Sequence, residues 1–589
     1  MISRSNILYT LLCLMRLGCS LLPGYVHPDE FFQSPEIMAG DVLGYEVYRP
    51  WEFNEHLPSR SIFIPLVLLL PFDLIVHKWS INSFGEDDYA AYNIAYLYQK
   101  NGITTSDPTQ ALFLVAFSHV LLIFHTRPFS NAVESIILAL CFYIYLRGTL
   151  SKDFAAKKKD TEIQNTNFPT NMAFILGCLG ALGLFTRITF ILFAFPIGLA
   201  FLYRTFMAPE ARLNTWNEKF NRLIPVGIGF VVASGLCVLT DLIYFGSIKV
   251  TVVKKEWFSF DFLVRILQNP LDFLEIVSLS GNVILTPINN VLYNLDANNL
   301  AEHGLHPRYV HVINYFMLFG PLGIYNIIDF YTSLKNFRQV SLMKSATVLT
   351  FSGICGFILL SIMPHQEARF LLPLLLPVVI SASLHRKFSS RFWVFYVLFN
   401  LITALFFGGL HQAGIIPVLG KLQHQSMGFH NCVKDYHKHV VCEVTNEFEP
   451  SFNSTEIFHT NVIFYKTFMP PRHLLGYPKA WRESNIQITI HDLAGVALEQ
   501  LEQELETKVA VNADILDQYA DSQKIVFQER EDILGHYERT LIVTPSTTIL
   551  STSHSLKYMD RQWPHLNTDQ IDRVLENGLY LNIYQLVDS

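Results

Sequence analysis

The chain has 589 residues, of which 51% are hydrophobic and 16% are charged, and its formal net charge is −7. This composition is too apolar for a soluble protein of this size, and the apolar residues fall in long runs, so it predicts a polytopic membrane protein. The charge is small and dispersed, and no basic patch is interleaved with aromatic residues, which excludes a nucleic-acid partner.

Long apolar runs recur through the first 410 residues or so. A transmembrane helix needs about 17–25 mainly apolar residues. Runs of about that length lie at 5–22, 60–77, 110–126, 129–147, 223–245, 308–331, 344–363, 368–385 and 391–410. The stretch 171–204 is long enough for two helices and is broken at 186–189. The sequence therefore predicts about eleven spans. The first of these is retained rather than cleaved as a signal peptide, and 279–293 is a re-entrant or interfacial piece.

Lysine and arginine gather in four loops between these runs, at 148–170, 205–222, 332–344 and 386–391. With eleven spans all four loops fall on one side of the membrane, which the positive-inside rule assigns to the cytosol. The loops 23–59 and 246–307 and the chain after 411 then face the lumen. The sequon at Asn453 lies on this predicted luminal side, so we expect Asn453 to be glycosylated.

The chain from 411 to 589 is polar and differs in pattern from the first 410 residues. Residues 462–465 and 486–490 have the composition of strands, and 493–508 has the pattern of a helix with a polar outer face. We therefore predict a transmembrane module at 1–410 and a small mixed α/β luminal domain at 411–589. The domain contains Cys432 and Cys442, which can pair as a disulfide in an oxidising compartment.

The segment 25–36, a few residues after the first apolar run, carries two adjacent carboxylates. Pro28 suits the first turn of a helix, and Asp29 and Glu30 suit the positive end of its dipole. Apolar residues recur at Phe31, Met38 and Val42, which predicts a helix lying along the membrane surface. From this pattern alone, the acids are either solvated residues of an interfacial helix or the centre of a luminal active site.

Resemblance to a known family favours the second interpretation. The strings HPDEFFQSPE, GD and RPWEF, at 27–36, 40–41 and 49–53, resemble the first luminal loop of glycosyltransferase family 22. These are multi-spanning mannosyltransferases of the endoplasmic reticulum that use dolichyl phosphate mannose. The resemblance implies an all-α membrane fold of the GT-C type, a lipid-linked donor, no cofactor and a luminal active site on loop 23–59.

Within the family, QSPE and RPWEF are most similar to the branch that adds a fourth mannose to the third mannose of glycosylphosphatidylinositol (GPI) precursors. The implied partners are a lipid-linked donor and a GPI glycolipid acceptor, with no obligate protein partner. A sibling branch, acting on the third GPI mannose or on N-glycan precursors, stays open as an alternative. A lipid transporter is a weaker alternative, because transporters tend to show two similar halves and this chain does not.

The implied reaction inverts the sugar anomer, and inversion by direct displacement requires one base to take the acceptor proton. The family motif assigns this role to Asp29, while Glu30 caps the helix or holds the acceptor sugar. Which of the two carboxyls is the base stays open. Neighbouring helical residues point about 100° apart, so the pair is not expected to share one proton. His27 and Gln33 of the same motif are expected substrate contacts.

A second string, HQEARF at 365–370, resembles a short luminal loop of the family between two spans. It implies that Arg369 makes a two-point contact with the phosphate of the sugar donor. His365 would donate a further hydrogen bond, and Glu367 would contact the substrate. Without the family, a turn anchored at the headgroups explains the string equally well. Arg187, at the break of the 171–204 stretch, is a third candidate contact, because arginine in such a place is costly. The sequence contains no Asp-x-Asp cluster of the kind that binds a metal ion and a nucleotide sugar, so we expect metal-independent chemistry.

Overall fold

The computed structural model describes residues 4–67, 108–150, 168–207, 215–252, 277–296, 298–299, 304–335, 345–385, 387–434, 438–444, 456–519 and 524–588. Asn453, most of the predicted cytosolic loop 148–170 and the middle of loop 246–307 lie outside the described residues. The glycosylation of Asn453 and the orientation of the chain therefore stay predictions.

The described part of the chain up to residue 428 is mainly helical. Its α-helices are α1 Arg4–Ser20, α2 Asp29–Phe32, α3 Pro35–Met38, α4 Pro108–Phe117, α5 His119–Leu122, α6 Ser130–Leu150, α7 Thr170–Thr186, α8 Phe190–Phe206, α9 Trp216–Asn221, α10 Ile224–Tyr244, α11 Thr286–Leu295, α12 Val310–Lys335, α13 Ser345–Ile362, α14 Leu375–His385, α15 Ser390–Leu405 and α16 Ile415–Met427. Turns of 3₁₀ helix lie at Trp51–Phe53, Phe124–Thr126 and Ala368–Leu374, and π-helical turns at Ala39–Leu43 and Phe406–Leu410. Two antiparallel strands, β1 Ile248–Val252 and β2 Val277–Gly281, form a separate small sheet.

Several of these helices confirm the membrane character of the chain. Among the described residues, four are long and apolar enough to cross a membrane, namely Ser130–Thr149, Trp216–Tyr244, Val310–Asp329 and Ser390–Leu410. Shorter apolar helices lie at Thr10–Ser20, Thr170–Thr186, Phe190–Phe206, Thr347–Ile362 and Ala368–Ser383. The predicted break at 186–189 is confirmed, since α7 ends at Thr186 and α8 begins at Phe190. The number of eleven spans stays a prediction.

The predicted span 110–126 is not one continuous helix. α4 ends at Phe117, Ser118 has an extended backbone, and α5 begins at His119. The side-chain oxygen of Asn400 accepts the backbone N–H of His119 at 2.8 Å and lies 2.9 Å from its ring Nδ1. A buried amide from α15 thus supplies a hydrogen bond at the interruption, which a pattern of apolar residues does not reveal.

The chain from residue 429 onward forms a mixed sheet in its described part. The strands are β3 Phe429–Lys434, β4 His439–Val444, β5 Ile457–Phe464, β6 Ile486–Asp492, β7 Val511–Asn512, β8 Lys524–Glu529, β9 His536–Pro545, β10 Ser555–Gln562 and β11 Leu581–Asp588. The main path runs β10-β11-β9-β8-β4-β3, and β5 pairs in parallel with both β9 and β6. Its helices are α17 Leu498–Glu506, α18 Ala513–Gln518 and α19 Val574–Asn577, and 3₁₀ turns lie at Arg472–Leu475, Lys479–Glu483 and Thr568–Arg573.

These elements confirm most of the secondary structure predicted for this region. The predicted strands at 462–465 and 486–490 fall on β5 and β6, while the helix predicted over 493–508 begins five residues later, at Leu498. β9 is buried along almost its whole length, which is typical of a central strand covered on both faces. Cys432 and Cys442, on the paired strands β3 and β4, are joined in a disulfide.

The prediction of one helix along the membrane surface after α1 is wrong. The segment breaks into α2, α3 and the π-helical turn Ala39–Leu43, because Ser34 departs from helical geometry before Pro35. Its apolar side chains are buried in protein rather than turned to a bilayer. Phe31 packs in a cluster with Leu419 of α16 and the sheet, and Met38 packs with Phe53 on the other side. Apolar spacing predicts a covered face but not what covers it.

The C-terminal region holds this segment through its backbone and through one buried carboxylate. The Tyr25 N–H donates to the His411 carbonyl at 2.9 Å, and the Glu46 N–H donates to the Tyr477 carbonyl at 2.7 Å. Glu36 is fully buried and accepts the backbone N–H groups of Arg472 at 3.1 Å and His473 at 3.3 Å, and the His473 ring also bonds to it. The segment 25–46 is therefore fixed between the helices and the sheet.

Substituting Glu36 tests how strongly this attachment holds. We expect Glu36→Ala to cost about 3–5 kcal/mol, because it leaves buried donors without their anion. Glu46→Ala is the matched control. Its carboxylate pairs with Arg482, which is 66% exposed, and an exposed pair contributes about 1 kcal/mol or less. The measurement is the temperature at which the detergent-purified protein loses trypsin resistance. Equal midpoints for the two variants would contradict a structural role for Glu36.

Candidate active site

Two short stretches that are 340 residues apart in the chain meet at Asp29. α2 begins at Asp29 directly after Pro28, so the carboxylate stands on the first helical turn. The HQEARF string runs from the end of α13 into the 3₁₀ turn Ala368–Leu374. The structure brings Asp29, His27, His365, Glu367 and Arg369 into one cluster of charged and polar side chains.

Arg369 bridges the two carboxylates of this cluster. Its Nη1 donates to Asp29 Oδ2 and its Nε donates to Glu367 Oε2. The other oxygen of Glu367 lies 2.6 Å from His365 Nε2, and His27 Nε2 lies 3.5 Å from Glu367 Oε2. The Arg369 side chain is 8% exposed and that of Asp29 is 25% exposed. The guanidinium is therefore covered, while the carboxylate of Asp29 remains accessible to a ligand.

The electrostatics of the cluster keep both carboxylates ionised. Burial alone would raise the pKa of Asp29, but Arg369, together with smaller effects of His27 and Arg60, holds the pKa below its usual value. Burial likewise acts against Glu367, whose pKa Arg369 holds well below its usual value. Burial would lower the pKa of His365, yet its hydrogen bond to Glu367 raises the pKa overall. His365 therefore tends to carry a positive charge beside Glu367.

His27 has a different state from His365. The backbone N–H of Asp29 donates to His27 Nδ1 at 3.2 Å, so this nitrogen carries no proton and Nε2 carries the hydrogen that points toward Glu367. Burial, and then the charge of Arg369, lower the pKa of His27. A neutral His27 thus orients the first turn of α2 rather than adding charge to it.

Glu30 occupies a separate environment from Asp29. It is fully buried, and its Oε2 accepts the backbone N–H of Val26 at 3.2 Å. Burial raises the pKa of Glu30 to about 7, although the charge of Arg127 acts in the opposite direction. No side-chain hydrogen bond from Glu30 caps α2, and full burial does not suit a contact with the acceptor sugar. Glu30 closes the turn before the helix.

A chain of hydrogen bonds connects Asp29 to Arg187. Gln33 Nε2 donates to Asp29 Oδ2, and Gln33 Oε1 accepts the Ser130 hydroxyl at 2.5 Å. Arg187 Nη1 donates to the same Ser130 oxygen at 3.0 Å, and Arg187 Nε lies 3.6 Å from Glu134 Oε2. Gln33 and Arg187, both predicted site residues, therefore belong to the cluster: Gln33 contacts Asp29 directly, and Arg187 reaches it through Ser130 and Gln33.

Sequence reasoning missed Ser130 and Glu134, the two residues of α6 in this chain of contacts. Glu134 is fully buried near the start of an apolar helix, where an acid is rare and is usually paired or functional. The sequence therefore marks Glu134 as unusual, but it does not show which residue pairs with it. The ring of Phe370 links Arg187 to the HQEARF string directly, because the guanidinium carbons of Arg187 and Arg369 each lie 5.2 Å from its centroid.

The cluster has the parts of a transfer site that works with general-base and electrostatic assistance. Asp29 is an ionised, accessible carboxylate in contact with the Arg369 guanidinium. His365 lies beside Glu367, and Arg187 stands at the far end of the hydrogen-bond chain. Both carboxylates in contact with Arg369 are already paired with a protein cation. Among the described residues, one set of converging metal-ligand side chains lies elsewhere, at His459, His536 and Glu538 on the C-terminal sheet.

The chain is similar to known proteins over most of its length. The family model described as Alg9-like mannosyltransferase matches residues 7–84 and 88–470. The human protein named GPI alpha-1,2-mannosyltransferase 4 is 31% identical over 506 residues, covering 80% of this chain and 76% of the human one. GPI mannosyltransferase 4 of Aspergillus oryzae is 28% identical over 610 residues, covering 98% of this chain and 96% of the relative. The Schizosaccharomyces pombe protein of that name is 26% identical over 593 residues. No solved structure matches the chain.

Proposed function

The chain belongs to the Alg9-like mannosyltransferase family, and we propose that it adds a fourth, α-1,2-linked mannose to the third mannose of a GPI-anchor precursor. The donor is dolichyl phosphate mannose. The observation that carries the proposal is the partly exposed, ionised Asp29 held by Arg369 against Glu367 and His365. The choice of acceptor rests on relatives from human to yeasts that carry the name GPI mannosyltransferase 4. These names favour the fourth-mannose branch over its siblings.

In the proposed reaction the acceptor hydroxyl oxygen attacks the anomeric carbon of the donor mannose. The bond from that carbon to the phosphate oxygen breaks, and its electron pair leaves with dolichyl phosphate. Asp29 takes the hydroxyl proton as the new bond forms, which is the single base that an inverting displacement requires. The low pKa of Asp29 suits this role, because the carboxylate stays ionised until the attacking oxygen becomes acidic in the transition state.

We propose a role for Arg369 that differs from the two-point phosphate contact expected from the sequence. Its Nε and Nη1 are engaged by Glu367 and Asp29, so the planar fork spans two carboxylates. During transfer one negative charge passes from Asp29, which becomes neutral, to the phosphate, which becomes a dianion. We propose that the positive charge of Arg369, no longer balanced by Asp29, then stabilises the departing phosphate together with His365 and Arg187.

We also propose metal-independent chemistry at this site, because protein cations already stand where charge develops. The proposed location is the endoplasmic reticulum membrane, with Asp29 on the luminal face. The basic loops at 148–170, 205–222, 332–344 and 386–391 support this orientation. The Cys432–Cys442 disulfide supports an oxidising compartment for the C-terminal region. The only partners proposed are the lipid-linked donor and the glycolipid acceptor.

Topology can be tested without an activity assay. We expect Asn453→Gln to remove one endoglycosidase-sensitive mass shift, and we expect protease to cleave a tag in loop 148–170 of sealed microsomes. Asn167, Asn171 and Asn299 are not sequons, and substituting Asn299 to Gln is a control that changes no glycan. A protected tag at 148–170 combined with an unglycosylated Asn453 would contradict the luminal site.

Asp29→Asn is expected to reduce transfer by about 10²–10⁴-fold, because an amide keeps the shape but cannot take the proton. Glu30→Gln is the adjacent control. We expect it to stay within about tenfold of the wild type, because a buried carboxyl whose pKa is raised to about 7 is already protonated to a large extent near neutral pH, so its neutral form must be compatible with the fold. Cells lacking the protein should accumulate a GPI precursor with three mannoses, and lipid analysis should show rescue by Glu30→Gln but not by Asp29→Asn. The reverse order would move the base to Glu30, and accumulation of an N-glycan precursor would overturn the acceptor.

Arg369→Lys is expected to reduce turnover by about 10²–10³-fold, because an ammonium cannot bridge two carboxylates in one plane. Near-normal transfer by this variant in microsomes would show that the HQEARF string is only a structural turn.

The pH dependence of activity gives a second measurement of the role of Arg369. In Arg369→Gln the burial of Asp29 acts without its opposing cation, so the pKa of Asp29 rises and the acid limb of activity moves to higher pH. Glu367→Gln removes an anion that raises the pKa of Asp29, so its acid limb should not move upward.

A further inference from the structure

Three side chains with metal-ligand atoms converge on one face of the C-terminal sheet. His459 stands on β5, and His536 and Glu538 stand on the neighbouring strand β9. His459 and Glu538 are direct partners in the parallel pairing of the two strands. His536 precedes Glu538 by two residues, so both side chains point to the same face of β9. The register of the two strands therefore fixes the cluster.

The distances within the cluster fit a small cation. His459 Nδ1 and His536 Nε2 each lie 3.3 Å from Glu538 Oε1, and the three ligand atoms all lie within 4.8 Å of one another. Zinc bound tetrahedrally by nitrogen and oxygen at 2.0–2.2 Å holds its ligand atoms about 3.3–3.5 Å apart. A slight approach of the two imidazoles would thus complete three ligand positions, with a fourth left for water.

The surrounding contacts orient the ligands as in known metal sites. His459 Nε2 lies 2.8 Å from the Thr489 hydroxyl of β6. A hydrogen bond at this nitrogen leaves Nδ1 to face the cluster, as outer contacts do for metal-bound histidines. His536 Nε2 is buried and forms no hydrogen bond to the described residues, although the Glu538 carboxylate lies beside it. Glu538 is only 3% exposed.

Arg530 is the alternative explanation for the buried carboxylate. Its Nη1 donates to Glu538 Oε1 at 3.0 Å, while its Nε and Nη2 fork onto Asp532 at 2.8 and 2.9 Å. A pair between Arg530 and Glu538 would balance the charge of Glu538, but it gives no reason for two imidazoles on the same oxygen. Arg530 pairs with Asp532 and is 31% exposed. It can therefore keep its two contacts with Asp532 while a metal ion replaces its contact with Glu538.

We propose that His459, His536 and Glu538 bind one Zn²⁺ ion that has water as its fourth ligand. Two imidazoles and a carboxylate are a ligand set typical of this metal. The ion would fasten β5 to β9, next to β6. The loop between β5 and β6 carries Arg472 and His473, which hold Glu36. The site thus stabilises the scaffold of the Asp29 segment without taking part in transfer.

The test is the metal content of the full-length protein, purified in detergent through a tag without histidines and analysed by inductively coupled plasma mass spectrometry. We expect about one zinc per chain in the wild type and less than about a tenth of that in His459→Gln and His536→Gln. His554→Gln, at a C-terminal histidine outside the cluster, should retain the wild-type content. Wild-type protein with less than about a tenth of an equivalent after growth with added zinc would overturn the proposal, whatever the variants do.

A second measurement covers the case in which the histidine variants fail to fold. Chelator-treated wild-type protein should regain a higher unfolding temperature on addition of zinc, and cobalt(II) in its place should give the visible absorption of a tetrahedral nitrogen and oxygen site. Arg530→Gln should bind zinc at least as well as the wild type, because it removes a competing cation. A loss of stability in Arg530→Gln, with no zinc effect on either protein, would show that the cluster is only an ion pair. A stoichiometric metal other than zinc would overturn the zinc assignment.

Discussion

The arrangement of the active site depends on one buried guanidinium that bridges two carboxylates. Arg369, Asp29 and Glu367 carry opposite charges within hydrogen-bonding contact, and charges removed from water persist only when they are paired and hydrogen-bonded. The bridge therefore requires the turn at Asp29 and the turn at 365–370 to keep a fixed position relative to each other. The C-terminal region fixes the Asp29 side of this bridge, because it packs on the Asp29 segment and holds the buried carboxylate of Glu36.

The C-terminal region is consequently part of the active-site scaffold rather than an appendage to the helices. The sequence predicts a division at about residue 410, because hydropathy changes there. In the structure, however, α16 and the sheet bury Tyr25 and Phe31 on either side of the catalytic turn. The same contacts explain why the predicted membrane-surface helix is absent. A segment whose apolar residues are covered by protein on two sides need not keep one continuous helical face, and Pro35 breaks it at little cost.

The sequence predicts the site better than it predicts the contacts that support it. Resemblance identifies the HPDE and HQEARF strings, and the physical cost of an arginine at the break of 171–204 identifies Arg187. Physical reasoning from periodicity could not place Glu36, Ser130 or Glu134, because it assigns a residue to a face without saying whether lipid, protein or another polar side chain covers it. The phosphate contact expected of Arg369 from the family resemblance stays a prediction, and nothing in the sequence indicates that Arg369 also pairs with Asp29, 340 residues away.

Asp29 and Glu30 show how two adjacent acids of one motif come to lie in different environments. On the first turn of α2 the two side chains point about 100° apart. One therefore turns toward Arg369 and remains partly exposed, and the other turns into the protein. The cation holds the pKa of Asp29 below its usual value, whereas burial raises that of Glu30 to about 7. Opposite environments thus shift the pKa values of two consecutive carboxyls in opposite directions. In the proposed transfer, the negative charge that Asp29 loses on taking the acceptor proton equals the charge that the phosphate gains, so the total charge of the site would stay constant while the partner of Arg369 changes.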